Sequence, residues 1–242
     1  MKKDIHHFYK LAAERKWWEE NLKQLLFPIR TVERLASKPD NYFLEWMTRC
    51  IFNAGFYWSV INKKWPGFQE AFLEFDIDTL LSQDEDFWIA LWNDKRIVRH
   101  KKKITAVRQN LNFLQDIRME YGSFAAWISQ WPETDQVWLQ WHLKKNGSRL
   151  GGMTAQYFLR FIWKDSFITS PDMVLALKHA WADIADTITS KRDLTTIQNL
   201  LNSWHAEAGY SFTHLSKILA YSAGENNPNE VLDRESRRWE ND

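Results

Sequence analysis

The chain has 242 residues, 45% hydrophobic and 26% charged, enough apolar material for one large domain or two lobes and too balanced for disorder. Thirty-two Lys and Arg against 31 Asp and Glu leave a net charge of +1, which excludes a globally basic coat but leaves room for a local basic patch. Cys50, the single cysteine, cannot close an internal disulfide or supply a zinc site by itself. The start, Met1 to His7, lacks the apolar core of a signal peptide, and no run approaches the ~18 apolar residues of a membrane span. A cytoplasmic protein is expected. Fifteen tryptophans make aromatic surfaces important, as core or as stacking platforms.

Eight Gly and six Pro are too few for the close turns of an all-β domain. Apolar residues recur instead at helical spacing. Ile104, Val107, Leu111, Leu114 and Ile117 line one face, with Lys103, Gln109, Asp116 and Arg118 assigned to the others. Ile197, Leu200, Leu201, Trp204 and Ala208 repeat the pattern. Asp40-Asn41, Asp84, Ser123, Asp135, Ser190 and Ser211 are placed as N-caps, and Gly122, Gly147 and Gly209 as C-terminal stops. The expectation is an all-α fold of about ten helices without a strand. Residues 1–224 should form a single domain of two packed lobes, and residues 225–242 a polar tail.

Charge is unevenly spread. Residues 70–86 hold seven acids and no base, whereas residues 95–103 hold Lys95, Arg96, Arg99, Lys101, Lys102 and Lys103 and no acid. Such a run suits a solvated helix start beside an acidic neighbour, or an edge that contacts phosphates.

Three glycines fall within six residues in Asn146-Gly147-Ser148-Arg149-Leu150-Gly151-Gly152-Met153-Thr154-Ala155. Helical segments flank them, through Val137, Leu139, Trp141 and Leu143 before and Tyr157, Phe158, Phe161 and Ile162 after. The link therefore predicts a tight hairpin whose second helix opens at Gly152 or Met153. Its first amides lack intrahelical partners and favour an anion, glycine allows close backbone approach, and Lys144, Lys145, Arg149 and Arg160 are near in sequence. An ordinary helix–helix corner is the competing reading.

The segment Leu150-Gly151-Gly152-Met153-Thr154-Ala155-Gln156-Tyr157-Phe158 resembles the helix-hairpin-helix element of the DNA glycosylase superfamily. Upstream, Asn53-Ala54-Gly55-Phe56-Tyr57-Trp58 is similar to the Gln-Ala-Gly-Leu-Ser-Trp stretch of the DNA-3-methyladenine glycosylase I family. Phe68-Gln69-Glu70-Ala71-Phe72, Phe75-Asp76, Arg96 to Ile104 and Gly122-Ser123-Phe124 continue that resemblance in order, over about residues 43 to 165. It implies a helix-hairpin-helix glycosylase fold and a monomeric enzyme that flips alkylated purines such as 3-methyladenine from double-stranded DNA and hydrolyses the N-glycosidic bond. Hairpin residues Lys144, Lys145, Ser148, Arg149, Leu150, Gly151, Gly152 and Thr154 would contact DNA. Trp58 matches the family's pocket tryptophan, with Trp46, Tyr57, Asn53 and Cys50 as further pocket candidates. An electron-rich aromatic wall suits a cationic base.

The chain departs from the family in two places. The family's zinc staple of paired Cys and His has no counterpart, so no metal or cofactor is expected. Cys50 also stands where the family reads the base with a Glu, and a neutral thiol is a far weaker hydrogen-bond acceptor than a carboxylate; Cys50 equally suits a small buried position. Asp172, 18 residues beyond Thr154, resembles the superfamily's catalytic Asp at the next helix start. It also suits the first turn of a helix on dipole grounds, and Asp165 is the second candidate. The alternative from another class is a non-catalytic helix-hairpin-helix DNA-binding protein; a helical interaction scaffold would leave the hairpin without a role.

Overall fold

The computed structural model describes residues 4–26 and 32–223, and all regular structure among them is helical. The chain divides into two compact units, drawn from the described residues of 30–164 and of 1–29 with 165–242. The first contains α3 (Val32–Ala36), α4 (Asp40–Asn53), α5 (Trp58–Ala71), α6 (Ile77–Leu81), α7 (Glu85–Ala90), α8 (Lys101–Tyr121), α9 (Phe124–Gln130), α10 (Gln136–Asn146) and α11 (Met153–Phe161). The second contains α1 (Ile5–Arg15), α2 (Glu19–Leu25), α12 (Pro171–His179), α13 (Lys191–Ala208) and α14 (Phe212–Ala223). Among the described residues fourteen α-helices thus stand against the expected ten or so, because α2, α3, α6 and α7 span only five to seven residues. Helices that short show too few turns for a period to emerge. The expected tail lies outside the described residues. No helix among the described residues is long and apolar enough to cross a membrane.

Each unit has its own core. In the larger one α8 runs through the middle, and Ile104, Val107, Leu111, Leu114 and Ile117 are all at most 5% exposed. Burial of each such side chain contributes about 1.5–3 kcal/mol. Around them pack Phe43, Met47 and Phe52 of α4, Phe68 of α5, Phe124 of α9 and Phe158 of α11. In the smaller unit, Ile5 and Phe8 of α1 meet Met173 and Leu177 of α12, Ile197 and Trp204 of α13, and Leu215 and Leu219 of α14.

The helix ends follow the cap residues with instructive exceptions. Asp84, Ser123, Ser190 and Ser211 each accept a backbone N–H three residues on. Gly122 and Gly209 close α8 and α13 with φ of 83° and 72°, a region that disfavours residues with a Cβ. Asp135 takes the N-cap position of α10 without a side-chain cap bond. Asp40 does not cap its own helix: it lies inside α4 and accepts the N–H of Phe124, 84 positions away, at the start of α9. Lys103, expected on a solvent face of α8, is only 4% exposed. Val107 and Asn110 follow it at spacings of four and seven, so it belongs to a buried stripe.

Candidate nucleic-acid and base-binding site

α10 and α11 form the predicted hairpin within the larger unit, joined inside by a buried hydrogen bond from Gln156 Nε2 to Gln140 Oε1 of 3.1 Å. Leu150 is fully buried and anchors the link. Gly152 adopts φ 56°, ψ −134° and gives α11 no side-chain cap. An L-residue would be strained there. Arg149, with φ 58°, is exposed at the tip, and Ser148 is half-buried. Lys144 and Lys145 are exposed on the last turn of α10, the latter with its ammonium 4.8 Å from the Trp141 ring centroid.

The Asn53–Trp58 segment lies between α4 and α5 of the same unit. Gly55 makes the turn with φ 77°, and the segment Ala54–Tyr57 is exposed. Cys50 and Asn53, at 4% and 7% exposure, are buried on the last turn of α4. Burial pushes the Cys50 thiol well above its ordinary range, so it stays protonated and neutral. The side-chain oxygen of Asn53 is buried with no hydrogen-bond partner among the described residues.

Trp58 and Trp46 meet on the second helix of the hairpin. Trp58 contacts Tyr157 edge-on at 5.5 Å and Phe161 at 5.8 Å between centroids. Trp46 stacks on Phe161 at 5.1 Å. Tyr42 donates to the Phe161 carbonyl at 3.4 Å. Tyr57 stands outside this cluster, 84% exposed. Tyr157 and Phe161 complete this aromatic wall; helix phase puts them on one side of α11, four residues apart, but does not show what that side faces.

Of the basic run, Arg96 makes ion pairs with Asp94 and Glu70 among the described residues, while Arg99 and Lys102 are exposed. Two other acids of the acidic stretch, Asp78 and Glu85, pair with Arg118 and Arg108 of α8. The compensating-neighbour reading therefore applies to Arg96; Lys95, Arg99, Lys101 and Lys102 are exposed, and Lys103 is buried.

The two candidate acids lie in the smaller unit and differ in kind. Asp165 is 4% exposed, and its two oxygens accept the N–H groups of Phe212 at 2.9 Å and Thr213 at 2.8 Å. It serves as the cap of α14. Asp172 is exposed in the first turn of α12, after a cap by Ser170. Its charge partly offsets the burial that pushes the Lys16 ammonium down.

Residues 35–156, half of the chain, match the methyladenine glycosylase family model. The chain belongs to that family. Among solved structures it is similar to a mutant of 3-methyladenine DNA glycosylase I from Staphylococcus aureus, at 22% identity over 50% of this chain and 75% of that one, with a TM-score of 0.45. A second mutant of a 3-methyladenine DNA glycosylase I, in complex with 3-methyladenine, matches at 19% identity over 63% of this chain and 87% of that one, also at 0.45.

Proposed function

We propose that this glycosylase-family chain acts as a monomer on double-stranded DNA, extruding an alkylated purine such as 3-methyladenine and hydrolysing its N-glycosidic bond. One observation carries the reading: α11 opens the hairpin at Gly152 and also supplies Tyr157 and Phe161 to the wall shared with Trp58. The same helix can thus face a phosphate with its amides and a flipped base with its rings. Alkylation at a ring nitrogen makes the purine cationic and already a good leaving group. Aromatic faces attract that cation, and the acid catalysis required is small.

Cys50 offers no charge to read the base, so the buried Asn53 carbonyl oxygen is the acceptor we assign to the base edge. Asp172, exposed in the first turn of α12, is the group we assign to stabilising the sugar cation or activating water. Lys144, Lys145, Ser148, Arg149, Gly151, Gly152 and Thr154 form the hairpin surface that would hold the DNA backbone, whereas Leu150, expected among them, is fully buried and anchors the link from within. The Cys50 substitution favours one rival, a DNA-binding protein that has lost the chemistry.

The deciding assay is single-turnover release of base from methylated duplex at two salt concentrations. Free 3-methyladenine is expected, with duplex affinity falling at least tenfold between 50 and 200 mM salt because phosphate contacts displace counterions. Salt-sensitive binding without base release would establish the rival; salt-independent binding would remove the hairpin from the interface.

A further inference from the structure

Two buried polar side chains of α8, seven residues apart and so on one face of the helix, reach into different parts of the candidate site. Lys103 donates from Nζ to the Ala54 carbonyl at 2.6 Å and the Phe52 carbonyl at 3.2 Å. Its ammonium also lies 4.4 Å from the centroid of the Phe56 ring. These carbonyls end α4, where the last turn lacks intrahelical donors and the helix dipole favours a cation. Asn110, 1% exposed, grips the hairpin with both ends of its amide. Its Nδ2 donates to the Ser148 carbonyl at 3.0 Å, and its Oδ1 accepts the Ser148 N–H at 2.7 Å. The Arg149 guanidinium, next along the hairpin, is close enough to act electrostatically on Lys103.

We propose that α8 is a ruler that fixes the spacing between the Ala54–Tyr57 turn and the 147–152 hairpin, with Lys103 and Asn110 as its two positioning residues. Both act through the backbone they hold and not on the substrate. Lys103 holds the turn that leads into Trp58, and Asn110 holds the loop that meets the DNA backbone. A rigid helix between them keeps the base wall and the backbone grip in register, which matters because a misplacement of about 1 Å can cost ~100-fold in rate. A lysine tied to two carbonyls at a helix end is not needed for packing alone. The Phe52 and Phe56 rings lie beside it, and burying an ammonium there is costly without such partners.

The inference rests on the glycosylase reading for its catalytic consequence but has a structural readout of its own. In the full chain, hydrogen exchange is followed in peptides covering 50–57 and 146–152 for Lys103→Met and Asn110→Leu. Lys103→Met should speed exchange in the first peptide and leave the second unchanged; Asn110→Leu should do the reverse. In single-turnover excision, Lys103→Met should lower the saturating rate about 30-fold with duplex affinity within about threefold, whereas Asn110→Leu should weaken duplex binding about tenfold with a smaller loss of saturating rate. Should Lys103→Met not fold, Lys103→Arg keeps the charge but moves its donors, and should show the same split. A parent that releases no base removes the glycosylase reading and leaves the exchange pattern to decide the ruler. Unchanged exchange in both peptides, or equal loss of rate and binding alongside a general fall in melting temperature, overturns it.

Discussion

Trp58 approaches Tyr157 edge-on, ring centroids 5.5 Å apart at an interplanar angle of 81°. The contact ties the start of α5 to the second helix of the hairpin, so the residue matched to the family's pocket tryptophan sits against the element expected on the DNA backbone. Edge-to-face pairs leave one ring face free of the partner, and Trp58 is only half-buried.

Substitution of that ring separates pocket from core. Trp58→Ala should lower excision of a cationic methylated purine at least tenfold, the scale of one cation–π contact, while binding to undamaged duplex changes less than about threefold. Parallel excision and anisotropy measurements decide between these. A large loss of thermal stability with no selective effect on excision would return Trp58 to the packing of the unit.

Asp172 and Asp165 should respond in opposite ways. Asp172→Asn is expected to reduce single-turnover excision by about 10- to 100-fold with an unchanged melting curve, since an exposed first-turn acid contributes little to folding. Asp165→Ala should instead destabilise the protein by roughly 2–4 kcal/mol, because two amide groups of α14 lose their acceptor. Equal excision by Asp172→Asn and parent would leave hydrolysis to positioning alone.

Lys103 also marks the alkaline behaviour of the fold. Burial, reinforced by the Arg149 charge, pushes its ammonium from 10.5 down to about 8. Below pH 8 both folded and unfolded chains hold the proton, and the full penalty of the buried charge applies. Between 8 and 10.5 the folded chain has released a proton that the unfolded chain still holds, so this group's contribution to stability rises with pH. The difference in urea midpoint between parent and Lys103→Met should therefore shift in favour of the parent across that window. A difference that stays flat from pH 7.5 to 10 would show that the two carbonyl partners offset the burial and keep the ammonium charged.

What the sequence disclosed was whatever is encoded locally. The 3.6-residue period located α8 and α13, and Ser123 and Ser190 marked helix starts, because a cap acts three residues away. Glycines at 147, 151 and 152 located the hairpin between two periodic segments. Long-range pairings were not legible. Asp40 looked like a cap for α4 and bonds instead to α9. Lys103 looked solvated within a basic run, although its partners are carbonyls about 50 residues earlier. The ordered resemblance to a family located Trp58, but Phe161 and Tyr157 joined it only through the packing of α11.

The reaction class turns on the residue that opens the second helix of the hairpin. A glycosylase that also cuts the backbone attacks the sugar with a lysine amine and passes through a Schiff base. In the superfamily this chain resembles, that lysine stands directly before the Thr-Ala pair, where the present chain has Met153 ahead of Thr154-Ala155. A thioether cannot form an imine. The buried lysines of the same unit are engaged elsewhere: Lys164 donates to the Trp131 carbonyl at 2.6 Å, and Lys103 to the Ala54 carbonyl at 2.6 Å. Lys145 is exposed beside the Trp141 ring on α10. Water is thus the expected nucleophile, and the products are a free base and an intact strand bearing an abasic site. Borohydride added during turnover on methylated duplex should trap no protein–DNA adduct, and strand breaks should appear only after alkali. A trapped adduct would reverse the assignment, and its loss in Lys144→Met or Lys145→Met would name the amine, since both side chains are exposed where α10 meets the hairpin.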